Sequence, residues 1–236
     1  MYFDWTYILV VVGALLCTWA NSRVSSTYSK YVKVRAASGM TGAEAAERIL
    51  RNSGIHDVQI QHVSGNLTDH YDPSSKVLRL SDSVYDSRSV AAIGVAAHEC
   101  GHALQHKEGY GPLKLRSMLV PAANLGSKLG LPLVLLGLAL GFAFELPGGG
   151  YFSLAQIGVW VFSLAVLFQV VTLPVEFNAS SRALKMLQSY GIMREDEVDD
   201  CKNVLGAAAL TYVAAAASSI LQLFRLVLLS NRRRRR

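Results

Sequence analysis

Residues Tyr151 to Leu173 run for 23 positions without a charged side chain. As a helix rising about 1.5 Å per residue, such a run exceeds the roughly 30 Å of a bilayer core, so the chain is expected to build around membrane-spanning helices. Three further apolar runs accompany it. Trp5 to Ala20 is uncharged, Leu131 to Leu146 carries only Glu145 near its end, and Asn203 to Leu229 carries Gln222 and Arg225. Composition agrees, because 51% hydrophobic against 17% charged residues is too apolar for an ordinary soluble protein of 236 residues. The expected class is an α+β membrane protein, mostly helical, with three to four transmembrane or membrane-embedded helices and a short antiparallel sheet.

The runs set the expected boundaries. Residues 1–20 read as an N-terminal transmembrane anchor, with Tyr2 and Trp5 suited to an interfacial belt. Asp4 precedes the run and no Lys or Arg does, opposite to the basic start of a cleaved signal peptide. Residues 117–173 hold a transmembrane hairpin. Its first arm is reached through a mildly amphipathic connector, Leu113 to Gly130, and its turn is Pro147 to Gly150. Residues 174–202 form a helix and an acidic connector, 203–229 a C-terminal apolar helix, and 230–236 an arginine tail. An arginine at the bilayer centre costs roughly 2.5–3.5 kcal/mol, so Arg225 is expected near an interface or packed against protein. The tail reads either as a headgroup contact or as an unstructured end.

Five of the positive charges behind the net +6 are Arg232 to Arg236, which leaves the rest nearly neutral and argues against a nucleic-acid partner. Arg23, Lys30, Lys33, Arg35, Lys114 and Arg116 lie close to membrane entry points between the first and second spans, whereas the N-terminal end and the Gly148 loop have no cations. The positive-inside tendency therefore turns residues 21–116 toward the cytoplasm of a multi-pass plasma-membrane protein. A full fourth span would send the tail outward, against that tendency. Three cysteines, Cys17, Cys100 and Cys201, form no C-x-x-C and support neither a disulfide framework nor a cysteine metal site.

Residues 21–116 turn soluble in composition. Thr41 and Glu44 form a capping-box start, Ala43, Ala46, Ile49 and Leu50 give a helical stripe, and Gly54 ends it. Val58 to Val63, Leu67 to Tyr71 and Lys76 to Leu80 follow as three strands separated by turns, an antiparallel meander. Such a sheet is either the floor of the domain or an edge on which an extended peptide pairs. His56, His62 and His70 read first as exposed or hydrogen-bonded histidines.

The segment Ser89 to Lys107 then carries His98, Glu99 and His102 as H-E-x-x-H. On a helix, residues four apart lie on one face, so the two imidazoles can chelate one metal ion while Glu99 stands beside the open position. Helix signals are independent of the histidines: Ser89 suits the N-cap, alanines fill the interior, and Gly109 closes the last turn. Gly101, between the histidines, lowers helix propensity by roughly 1 kcal/mol, tolerable if something must approach the backbone closely. A two-histidine site needs a third ligand. Glu176, at the start of a helix with Pro174 in its first turn, is one donor; it reads equally as a glutamate favoured by the helix dipole.

Four segments in order, TGAEAAERIL, GNLTDHYDPSSKVLRLSDSVY, SVAAIGVAAHECGHALQH and LPVEFNASSRAL, resemble the YugP-type membrane zinc metallopeptidases, and the resemblance covers roughly residues 41–187. It implies a zincin-like lobe within residues 21–116 and a gluzincin-like zinc site. One Zn2+ per chain would be held by His98, His102 and Glu176, with Glu99 as general base in peptide hydrolysis. Related membrane gluzincins place an aspartate four residues after the glutamate ligand. Here that position is Ser180, which leaves the partner of a ligating histidine unassigned, with Asn178 a candidate. His70, Arg182 and Tyr212 are each arguable as oxyanion donors.

The activity so implied is that of a membrane-embedded metalloendopeptidase, a hydrolase acting on peptide or membrane-protein substrates beside the lipid bilayer. The alternative is a non-catalytic scaffold or adaptor with a structural or vestigial zinc, for which a fourth protein ligand such as His70 or His106 would speak. Cleavage specificity, oligomeric state and protein partners are not legible in the chain.

Overall fold

The structure, a computed structural model, describes residues 4–145 and 151–232. Helices dominate it. Four are long and apolar enough to cross a membrane: α1 (Tyr7–Tyr31), α4 (Gly111–Leu140), α5 (Leu154–Ser189) and α6 (Glu195–Arg232). Between the first two lie α2 (Gly42–Asn52), three short strands and α3 (Val90–Lys107); two further strands, β4 (Ala143–Glu145) and β5 (Tyr151–Ser153), pair antiparallel ahead of α5. The expected α+β membrane architecture is present, with several corrected boundaries. The turn residues Pro147 to Gly150, Tyr2, and Arg233 to Arg236 lie outside the described residues.

Each correction concerns a helix that continues where the sequence reading stopped it. Helix α1 passes the end of the apolar run at Ala20 and reaches Tyr31, because residues 21–31 contain neither Gly nor Pro and polar side chains do not break a helix. The expected connector before Leu131 is helical throughout and belongs to α4, with Pro121 and Pro132 inside it. Likewise Pro174 does not start a new helix. It sits within α5, which carries both Leu154 to Leu173 of the apolar run and Glu176. Prolines inside membrane helices are tolerated where neighbouring groups re-satisfy the freed backbone.

The chain divides into two units. The first comprises residues 1–19, 114–173 and 212–236, mainly parts of the long helices. Here α4 and α5 meet through small residues. A Cβ on Gly126 would lie 2.6 Å from the Val161 carbonyl oxygen, and one on Gly158 would lie 2.5 Å from the Val134 nitrogen. Backbones this close are how helices associate in lipid, where burial of apolar area drives nothing. Arg225 resolves its position by packing against protein: it is 9% exposed, reaches Asp4 Oδ2 at 3.4 Å and stacks 4.2 Å from the centre of the Tyr7 ring.

The second unit comprises residues 20–113 and 174–211. Its core holds Ala46, Ile49 and Leu50 of α2, Leu78 and Leu80 of the sheet, Ile93, Ala97 and Cys100 of α3, and Ala183 and Leu187 of α5. The Thr41–Glu44 capping box is formed in both directions, as its sequence requires. The sheet departs from the expected meander. Its strands β1 (Gln59–Val63), β2 (His70–Asp72) and β3 (Val77–Ser81) stand in the order β1-β3-β2, with β1 parallel and β2 antiparallel to β3.

The reason is the segment between β1 and β2. Rather than reversing, residues 64–69 cross the end of β3 and are pinned there. Gly65 N–H donates to Asp82 at 2.8 Å, Leu67 N–H to Ser83 Oγ at 3.3 Å, and Asp69 accepts from Ser81 N–H at 2.7 Å. Leu67, expected in a strand, instead adopts φ 54° in this crossing. The tight β2–β3 reversal at Asp72 to Lys76 formed as expected, held by Asp72 accepting from Ser74 and Ser75.

Candidate metal centre

Helix α3 starts where its cap requires, with Ser89 Oγ accepting from Ala92 N–H at 3.1 Å, and Gly109 follows its C-terminus at φ 65°. Gly101 explains its own presence inside the helix. A Cβ there would stand 2.5 Å from the Ala179 carbonyl oxygen, so α5 lies against α3 at the one residue between the two histidines that lacks a side chain. That contact brings Glu176 opposite His98 and His102. Ser180, one turn further along α5, shares the face that carries Glu176.

The three side chains converge. Glu176 Oε2 lies 3.3 Å from His98 Nε2 and 3.6 Å from His102 Nε2, and one ligand atom from each residue falls within 4.8 Å of the others. Glu176 is 2% exposed, and the two rings meet edge-on with centroids 4.8 Å apart. The far side of each ring is tied down. His98 Nδ1 meets Ser180 Oγ at 3.1 Å, and His102 Nδ1 meets Gln105 Oε1 at 3.0 Å. Gln105 is oriented in turn, its amide donating to the Val175 carbonyl at 2.8 Å and to Asn178 Oδ1 at 2.9 Å. With its oxygen thus facing His102, Gln105 assigns the proton to Nδ1 and leaves the Nε2 lone pair pointing at Glu176.

Imidazole lone pairs and a carboxylate oxygen aimed at one point repel one another unless a cation lies between them, and nitrogen–nitrogen–oxygen is a donor set that zinc accepts. The donors present therefore fit the ion. Burial disfavours a charged His102, yet a hydrogen bond to Glu176 and the charges of Glu99 and Glu176 outweigh it and hold the imidazole pKa above its ordinary value, so a proton on Nε2 is the competitor that a metal ion must displace. Among the described residues, no fourth His, Cys, Asp or Glu joins the group.

Glu99 is buried next to His98, and its Oε2 accepts from the Tyr71 backbone N–H at 3.0 Å. Strand β2 is an edge of its sheet, so the N–H that seats Glu99 comes off the open side. Behind it, burial raises the Asp69 pKa, the Ser81 hydrogen bonds oppose that shift, and the Glu99 charge adds to it.

The remaining sequence candidates lie as follows. Asn178 reaches His102 only through Gln105, and it also accepts from Arg182 Nε at 2.7 Å. Arg182 is further held by Glu108 at 2.6 Å. His70 is exposed, with Nδ1 2.9 Å from the Thr68 carbonyl and Nε2 3.3 Å from Arg79. His106 pairs with the Tyr71 hydroxyl at 2.9 Å, His62 with Asp82 at 2.7 Å, and His56 is exposed. Tyr212 belongs to the other unit. Sequence reasoning missed Gln105 and Tyr71. For Gln105 a signal existed, since it follows His102 by three residues on the same helix face.

Comparison with known proteins agrees with this chemistry. Residues 6–231 match the family described as "Putative neutral zinc metallopeptidase". The chain is also 49% identical over 224 residues to the "Putative membrane protease YugP" of Bacillus subtilis (strain 168), covering 94% of this chain and 96% of that protein. No solved structure matches.

Proposed function

The chain belongs to this family of neutral zinc metallopeptidases, and from that premise we propose that it hydrolyses peptide bonds at a zinc ion held by His98, His102 and Glu176, one ion per chain. The observation that carries the proposal is the convergence of the three acceptor atoms with both Nδ1 positions tied off behind them. The absence of a fourth such side chain among the described residues favours an open, catalytic position over a closed structural site. Zinc, when bound, supplies Lewis-acid polarisation of a peptide carbonyl and acidification of a water.

Glu99 is the general base. Its Oε2 is held by the Tyr71 N–H, which leaves Oε1 to take a proton from the attacking water and return it to the departing amine nitrogen. Tyr71 acts by fixing that carboxylate. Gln105 holds His102 in the tautomer that offers Nε2, and Ser180 fixes the orientation of the His98 ring. The cations flanking the spans support a site facing the cytoplasm of a plasma-membrane protein, and substrates are peptides or membrane proteins within reach of the bilayer.

The experiment compares zinc-loaded wild type with zinc-loaded Glu99→Gln on an unfolded protein substrate. Turnover falls by about 10²–10⁴-fold in the variant while zinc content is unchanged. Full activity in a metal-loaded Glu99→Gln preparation would remove Glu99 from the role of base.

A further inference from the structure

A cavity of about 690 Å³ opens between α1 and α6 in the unit that holds the candidate metal centre. Its walls differ in chemistry. Arg23, Lys30 and Lys202 supply three cations, and no carboxylate is among the lining residues. Among the described residues, none of the three forms an ion pair. Hydroxyl and amide groups stand beside them: Asn203 Nδ2 donates to the Tyr31 hydroxyl at 3.1 Å, which also receives the Lys30 ammonium at 3.3 Å. One to two turns further along the same face of α6 the lining is small and apolar, formed by Gly206, Ala207 and Leu210. At Gly206 an added Cβ would meet nothing within 4 Å, so the groove has room at that point.

The position of these residues along their helices is as telling as their charge. Arg23 is the first charged residue after the uncharged run of α1, and Lys202 is the last before an uncharged stretch that reaches Phe224 on α6. Both therefore stand where a helix passes from hydrocarbon to headgroup region. The cations face phosphate depth, while the apolar wall continues into the run that follows Asn203. Basic pockets between membrane helices bind anionic lipid headgroups by this combination of charge and adjoining apolar surface.

We propose that the groove between α1 and α6 binds the phosphodiester headgroup of an anionic phospholipid, with Arg23, Lys30 and Lys202 on the phosphate and the acyl side lying along Gly206 and Leu210. The site is separate from the metal ligands. It stands whether or not the peptidase reading does.

The test uses the full-length, detergent-solubilised protein and follows thermal stabilisation on titration with dioctanoyl phosphatidylglycerol, dioctanoyl phosphatidylcholine or sodium phosphate. Phosphatidylglycerol stabilises at the lowest concentration. Arg23→Gln combined with Lys202→Gln raises its midpoint by about 25-fold, at about fivefold for each cation removed. Gly206→Leu, which fills the groove and changes no charge, raises it as well. Circular dichroism and elution as a single species on size exclusion establish that each variant is folded, and if the double variant is not, Gly206→Leu decides. Equal stabilisation by phosphatidylcholine, or an unchanged midpoint in the folded variants, overturns the proposal. So does saturation by inorganic phosphate at the same midpoint, which would make the groove a site for the free anion.

Discussion

Two of the clusters in which the chain buries charge, around Arg225 and around Glu176, are built on opposite principles. Around Arg225 a cation is met by the Asp4 carboxylate and the Tyr7 ring, so attraction is supplied from within the protein. Around Glu176, two imidazole nitrogens and a carboxylate oxygen face each other, and behind His102 the Gln105 oxygen takes up the proton that would otherwise have relieved the crowding. The first cluster is electrically complete. The second is complete only with a cation, and that difference separates a packing solution from a site.

Substitutions in the two clusters are expected to differ in size and in what they change. Glu176→Ala removes the carboxylate of the proposed site: zinc content is expected to fall from about one per chain to near zero and peptidase activity to be lost, as measured by metal analysis beside a turnover assay. Retention of full zinc would place the third ligand elsewhere. Weakening the support behind the rings has a smaller effect. Ser180→Ala and Gln105→Leu each lower zinc affinity by about 10–100-fold in a competition titration with a chelator, because the freed ring no longer presents Nε2 in one orientation.

Gly101→Ala acts through the backbone. Its new Cβ meets the Ala179 carbonyl, so α3 and α5 move apart and zinc affinity falls, while the same substitution at Gly158, in the other unit, lowers thermal stability and leaves affinity intact. If both variants lost zinc to the same degree, the division between packing contact and site contact would be wrong. The smallest effect belongs to the balanced cluster. Asp4→Asn leaves Arg225 short of its counter-charge and destabilises by about 1–3 kcal/mol, read as a lower melting temperature in detergent, with zinc stoichiometry unchanged.

Legibility in the sequence differs by element. The capping box at Thr41 and Glu44, the helix from Ser89 and its H-E-x-x-H pair were legible because each is a local rule, satisfied within a few residues of its own chain. The apolar runs were legible for the same reason, as length and hydropathy need no partner. Helix ends were less so: Tyr31 on α1 and the unbroken passage through Pro174 on α5 depend on what surrounds the backbone, which composition does not report.

What the sequence by itself determined is the inventory: membrane helices, a two-histidine face, and a downstream glutamate that it left open between ligand and helix terminus. Tertiary structure decided the rest. Sheet order turned on long-range hydrogen bonds from Asp82, Ser83 and Ser81 to the segment between β1 and β2. The pairing of Ser180 with His98, of Gln105 with His102 and of the Tyr71 N–H with Glu99 likewise joins residues by distances across elements or by rotamers. Local propensity acts over a helical turn, whereas the candidate metal centre is a meeting of α3, α5 and a strand edge, fixed only when their packed surfaces bring those groups within hydrogen-bond range.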